Sequence, residues 1–279
     1  MVSQEKIIEL KKFAADIRIA AMEEFRAIGI GHVGGSMSVC DLMACLYGGV
    51  MRLDPKNPKW EQRDRFIMSK GHAGPAMYAA LALLGYFPRE ELKTINRLGT
   101  RLPSHTDMNR TPGVDMTTGS LGQGFSSGLG IAMGCKKKGL DSYVYILLGD
   151  GECEEGQVWE CAMFAPAKKL TNVIAFVDYN DLQLCGTVEQ VAGLTDIGGK
   201  FAAFGWHVVN VEDGNDVAQI MAAIEAAKEA ADRPSMIILK TKKGKGCYFA
   251  EDVFNHNMPV SNEQADRAIA ELEAYKASL

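Results

Sequence analysis

At 279 residues, 47% hydrophobic and 23% charged, the chain has the apolar content for a packed interior and the length for one large α/β domain, which excludes disorder as its main character. A formal net charge of −5 attracts neither a nucleic acid nor an anionic membrane, so neither is expected as a partner. Seven scattered cysteines without a CxxC pair, a charged start (MVSQEKIIELKKF) and no apolar run read as bilayer-spanning make a reduced, cytoplasmic protein the expectation.

In chain order, apolar residues at Ile7, Leu10, Ala14, Ile17, Ala21, Phe25 and Ile28 keep helical spacing and predict a helix over 3–28, which Gly29 can stop. A second helix is expected over 38–47 after the glycine-rich GIGHVGGS, a short strand over 65–69, and helix again over 75–84. The segment 99–119 is rich in Pro, Thr, Asp, Asn and Gly, follows neither period, and reads as a long loop of the kind kept for function. GSLGQGFSSGLGIAMG, from 119 to 134, reads as a helix of small residues that another backbone can approach closely. Strands over 143–148, 173–178, 206–211 and 236–241 follow, with helices over 155–169 and 216–231, Pro166 ending or kinking the former. Ser261 with Gln264 makes a capping box for a last helix ending near Ala277. Apolar strands alternating with helices predict an open, mainly parallel sheet covered on both faces, in a single domain over 1–279.

Ligands of such sheets bind beyond the carboxyl ends of the strands. There the run ILLGDGECEEG places Asp150 between two glycines, and VDYNDLQL places Asn180 at the end of the next strand, which a right-handed crossover sets alongside. A carboxylate, an amide oxygen and a nearby backbone carbonyl are hard donors that suit Mg²⁺, and glycines on either side of Asp150 let backbone come close to a diphosphate. A lone GDG is otherwise an ordinary strand-to-helix turn. Four of the five histidines, His32, His72, His105 and His256, fall in loops at element ends and are expected to converge in a polar catalytic pocket; His207 lies within a strand. The cluster Lys240, Lys242, Lys243 and Lys245 reads either as a solvated loop or as one facing a diphosphate, and Cys153, with no basic partner apparent, reads as a spectator.

GHVGGSMS, SKGHAGPAMY, GVDMTTGSLGQG, GDGECEEGQVWE, VDYNDLQLCG and TKKGKG occur in an order that resembles the amino-terminal, diphosphate-binding half of a transketolase, GDG with its downstream Asn being the thiamine diphosphate fingerprint. The resemblance implies thiamine diphosphate and Mg²⁺, or another divalent cation such as Ca²⁺ or Mn²⁺, as cofactors. It gives Asp150, Asn180 and the Leu182 carbonyl to the metal, and sets Gly151, His72 and His256 toward the diphosphate. Gly119 and Leu121 would meet the cofactor rings, and His32 and His105 the donor sugar. Glu155 and Glu160 fall where transketolases line a channel between paired sites, or else on a solvated helix face.

The family's pyrimidine-binding domain, whose glutamate starts cofactor deprotonation, has no counterpart in the motifs above. The resemblance therefore implies one subunit of a split transketolase, two copies pairing with two of a separate chain that carries that domain, and ketol transfer from a ketose phosphate to an aldose phosphate. The rivals are a 1-deoxyxylulose phosphate synthase, the α-subunit of a 2-oxo acid dehydrogenase, and a non-catalytic cofactor-binding module; TKKGKG fits the first, while GHVGGS and TTGSLGQG favour transketolase.

Overall fold

The Ser3 hydroxyl accepts the Lys6 N–H at 3.2 Å and so caps α1 (Gln4–Ile28), whose stripe Leu10, Ala14, Ile17, Ala21 and Phe25 is buried; Gly29 ends it at φ 74°. The computed structural model describes residues 2–254 and 256–279, so Met1 and Asn255 of the expected 1–279 domain lie outside the described residues. After β1 (Ile30–Gly31), the single helix expected over 38–47 is instead α2 (Val33–Met37), α3 (Cys40–Cys45) and a π turn over Leu46–Val50. Val39, at φ −103° and ψ 0°, interrupts the helical path, and a buried segment tolerates Gly34 and Gly35 inside α2. Contrary to the expectation of no bilayer-spanning run, the stretch Val33–Val50 has the length and apolar composition to cross a membrane, but 83% of it is buried in this fold.

Next come β2 (Arg65–Met68) and α4 (Gly74–Leu83), then the irregular loop. Helix α5 (Gln123–Lys137) begins four residues later than expected because Gly119 and Gly122, at φ 141° and 80°, are not helical. Its small residues do let it close on the sheet: a Cβ on Gly128 would lie 2.5 Å from the Ile146 side chain. Strand β3 (Val144–Gly149) leads through a 3-10 turn, Gly151–Glu154, into α6 (Gly156–Ala167), where Pro166 stands one residue from the end. Between β4 (Val173–Tyr179) and β5 (His207–Val211) lie α7 (Val188–Val191) and α8 (Ile197–Ala203), both missed in the sequence. They are short, and α8 carries two glycines near its start, so neither shows a period. The chain closes with α9 (Val217–Glu229), β6 (Ser235–Lys240), β7 (Met258–Pro259) and α10 (Asn262–Ala277), capped reciprocally by Ser261 and Gln264.

Five strands pair in parallel in the order β2-β3-β4-β6-β5, and a separate antiparallel ribbon joins β1 to β7. Strand alternation divides the interior. Tyr145, Leu147, Phe176 and Leu239 pack under α1, α3, α4 and α9, whereas Ile146, Leu148, Val177 and Ile238 pack under α5, α6 and α8. This is the α/β fold the alternation predicted, and it brings the ends of β2, β3, β4 and β6 to one edge.

Candidate active site at the carboxyl edge of the sheet

Gly149 at the end of β3 pairs in register with Asp178 of β4, so Asp150 and Asn180 leave the sheet side by side. Asp150 is buried. One of its carboxylate oxygens accepts the Gly151 N–H at 2.7 Å, and the other accepts the N–H groups of Asn180 at 2.9 Å and Asp181 at 2.6 Å. Burial pushes its pKa up to about 6, with the Asp178 charge adding to this and the Gly151 and Asp181 N–H groups and the Lys70 charge opposing it. Asn180 Oδ1 accepts the Leu182 N–H at 3.2 Å, and the Leu182 carbonyl accepts Lys243 Nζ at 2.9 Å. Asp150, Asn180 and Leu182 line one cleft of about 270 Å³ together with Gly151, His72, Leu121 and His256.

Among the described residues no three His, Cys, Asp or Glu side chains group as metal ligands, and Asp150, Asn180 and Leu182 offer one carboxylate, one amide and one carbonyl. That set fits a hard divalent cation. The cleft also has the bareness a diphosphate needs: a Cβ on Gly35 would sit 3.1 Å from His72 Nε2, and one on Gly151 would sit 3.0 Å from the Gln183 side chain. The amides directly after Asp150 belong to the 3-10 turn rather than to α6, which starts only at Gly156.

The four loop histidines do converge. His32 has its ring centroid 5.4 Å from His72, 5.7 Å from His105 and 5.0 Å from His256, and His72 and His256 are 4.5 Å apart. The β1–β7 ribbon accounts for part of this, because it holds the residues just after Gly31 and just before Met258 together. Burial, with lesser repulsion from neighbouring His105 and Lys70, lowers His32 to about 4. Burial followed by the His32 and Lys243 charges does the same for His256, and His72 and His105 are lowered as well. At neutral pH these are uncharged imidazoles, each able to donate one hydrogen bond and accept another. His207, by contrast, lies 3.3 Å from the Ser235 hydroxyl within the sheet.

The family model described as "Transketolase, thiamine diphosphate binding domain" matches residues 10–273. The chain belongs to the transketolase family. It is 51% identical to the 6-deoxy-6-sulfo-D-fructose transketolase subunit of a Clostridium species (strain MSTE9), over 96% of this chain and 98% of that one. It is 37% identical to an apulose-4-phosphate transketolase subunit of Phocaeicola vulgatus, over 87% and 86%. A Pichia stipitis transketolase solved with sedoheptulose 7-phosphate superposes with a TM-score of 0.86 at 30% identity, over 98% of this chain but 45% of that chain. The chain thus covers 98% and 86% of these two transketolase subunits and 45% of the solved transketolase.

Within this transketolase chain a second tier of residues, missed in the sequence, supports the cleft. Asp178, fully buried, pairs with Lys70 and accepts from the Ser38 hydroxyl at 2.8 Å, from Asn180 Nδ2 at 3.1 Å and from the Thr241 hydroxyl. Glu152 is also buried: Oε1 accepts the Ser69 hydroxyl and the Gly122 N–H at 2.9 Å, and Oε2 accepts the Gly149 N–H at 3.0 Å. Lys70 and Asp178 stand inside the motifs SKGHAGPAMY and VDYNDLQLCG, but at the ends of β2 and β4, which are not neighbours in the sheet, so their pairing left no signal in the sequence.

Of the four clustered lysines only Lys243 enters the cleft; Lys240 pairs with Glu212 and Lys242 with Glu251. Gly119 sits outside the cleft lining, where its Cβ would fall 2.9 Å from the His105 ring, while Leu121 lines it. Glu155 and Glu160 are both exposed, a position open to the channel and to the solvated reading alike. Cys153 is fully buried and burial pushes its thiol well up, the state of an inert core residue.

Proposed function

We propose that this chain is the thiamine diphosphate-binding subunit of a split transketolase that moves a two-carbon ketol unit from a ketose phosphate to an aldose phosphate. The observation that carries the reading is the convergence of Asp150, Asn180 and the Leu182 carbonyl with His32, His72, His105 and His256 at one edge of a parallel sheet of the transketolase family. Thiamine diphosphate, when bound, supplies the stabilised carbanion that cleaving a bond beside a ketone requires. The chain's own residues hold and orient. Asp150, Asn180 and Leu182 take Mg²⁺, or Ca²⁺ or Mn²⁺; Gly151, His72 and His256 meet the diphosphate; Gly119 and Leu121 meet the rings. His32 and His105, neutral at pH 7, would accept a proton from a sugar hydroxyl at one nitrogen and donate at the other.

Completion of the site falls to a separate chain bearing the pyrimidine-binding domain, in an assembly of two copies of each, and the subunit names of the two relatives support such a partner. The free state of all seven cysteines supports a reducing, cytoplasmic setting. The name of the 51% identical relative supports a second donor, 6-deoxy-6-sulfo-D-fructose, at the same site.

The test measures ketol transfer by this chain, by the complementary chain and by a titrated mixture, offering a ketose phosphate and the sulfo sugar separately. This chain alone should be silent, since missing acid–base help alone is worth about 10²- to 10⁴-fold. Activity should appear on mixing and saturate near one partner per copy. Robust turnover by the chain alone would overturn the split-enzyme reading, a silent but associated mixture would favour a non-catalytic module, and turnover of the sulfo sugar alone would exclude the ketose phosphate.

A further inference from the structure

Lys243 is 2% exposed, and its ammonium donates to the Leu182 carbonyl at 2.9 Å. That carbonyl is one of the three oxygens assigned to the divalent cation, so a cation built into the chain already sits on a proposed metal ligand. The placement is held from several sides. A Cβ on Gly34 would lie 3.0 Å from the Lys243 stem, so the stem packs where a larger residue could not stand. The Gly244 N–H donates to the Gly34 carbonyl at 3.0 Å, Asn215 Oδ1 accepts the Lys242 N–H at 2.8 Å, and Arg18 Nε donates to the Lys245 carbonyl at 2.9 Å. Arg18 is itself anchored by a buried pair with Asp41.

The charges around the ammonium pull in opposite senses: Asp150 and Asp178 favour it, and Lys70 opposes it. A divalent cation entering by itself brings two more positive charges beside Lys243 and competes for the Leu182 oxygen. A cation arriving with a diphosphate brings anionic oxygens, to which a flexible four-carbon stem can turn its three N–H donors.

Resting on the metal and cofactor reading above, we propose that the Lys243 ammonium holds the Leu182 carbonyl while the metal is absent and turns to the diphosphate when metal and cofactor enter together. Lys243 thereby disfavours metal alone, favours the metal–diphosphate pair, and makes the two ligands bind cooperatively. Such coupling is reciprocal, so the cofactor should raise metal affinity by the factor by which metal raises cofactor affinity, and couplings of this kind run about 5- to 150-fold.

The experiment titrates the assembled enzyme, this chain with its complementary chain, with Mn²⁺, following the free ion by electron paramagnetic resonance, first without and then with saturating thiamine diphosphate. Lys243→Met keeps the stem and removes the charge, Lys243→Gln is the fallback if that variant is unstable, and melting curves establish that each is folded. Wild type should bind Mn²⁺ weakly alone and at least about fivefold more tightly with the cofactor. The neutral variants should bind Mn²⁺ alone several-fold more tightly than wild type and lose most of the gain the cofactor brings. Asp150→Ala should abolish uptake in either background, which marks the site. Neutral variants with unchanged or weaker affinity for Mn²⁺ alone overturn the exchange while leaving the cofactor reading intact. A wild type that takes up no Mn²⁺ even with thiamine diphosphate overturns the cofactor reading, and this one with it.

Discussion

Glu24 lies on α1 at 0% exposure with both carboxylate oxygens lacking a partner among the described residues. Burial first, and the Glu23 charge second, push its pKa well above the ordinary carboxylate value, so the folded chain keeps a proton there. The unfolded chain releases that proton above about pH 4.5. Stability should therefore fall as pH rises, by about 1.4 kcal/mol per unit, until pH passes the raised value. Glu24→Gln, which keeps the shape and cannot ionise, should flatten that contribution. Urea unfolding of both proteins at pH 5, 6, 7 and 8 gives the comparison, and parallel curves would show that Glu24 is ionised in the fold. Glu24 illustrates how burial acts on a single titratable group, and the lowered His72 and His256 of the cleft illustrate the same effect with the opposite charge.

The elements meet in the cleft through connections no single helix or strand contains. Glu152 ties the end of β2 through Ser69, the entry to α5 through Gly122, and the end of β3 through Gly149, so that Leu121 and Asp150 are held in one frame. Removing it would leave two backbone N–H groups buried without acceptors, each costing about 1–3 kcal/mol. Glu152→Ala should thus lower stability by about 2–4 kcal/mol and speed hydrogen exchange at residues 119–123 and 149–151. It should also weaken thiamine diphosphate binding, measured by calorimetry on the assembled enzyme. Exchange no faster than wild type in both segments would refute the role of Glu152 as a tie.

For the whole molecule, α5 and α6 present Met133, Met163 and Phe164 at 40%, 54% and 38% exposure, on the outer side of helices whose other side fills the core. Apolar area that the sheet does not cover suits an interface. Adding the complementary chain should slow amide exchange in both helices, and unchanged exchange in a mixture that associates would put the contact elsewhere. The short spans of the fold matter at this scale too, because a ribbon of two residues on each side, β1 with β7, carries His256 across to His32.

How much of this was legible in the sequence follows from how local each feature is. The stripe of α1, the capping box at Ser261, the apolar strands and the pairing of GDG with a downstream Asn depend on residues a few positions apart or on adjacent strands, so the sequence by itself determined the α/β fold and the neighbouring placement of Asp150 and Asn180. The four histidines were legible as a set because each falls in a stretch read as loop rather than in a periodic segment, His105 within the long loop 99–119. Which lysine of TKKGKG enters the cleft was not legible. Lys242 and Lys243 are chemically the same in the chain, and only the path of the loop over Gly34, pinned by Arg18 and Asn215, sends Lys243 inward and leaves Lys242 to Glu251. The Lys70–Asp178 pair, the three-way tie at Glu152 and the short helix α8 were likewise decided by tertiary structure. Each joins groups far apart in sequence, and the burial that makes such contacts strong exists only once the chain has closed around them.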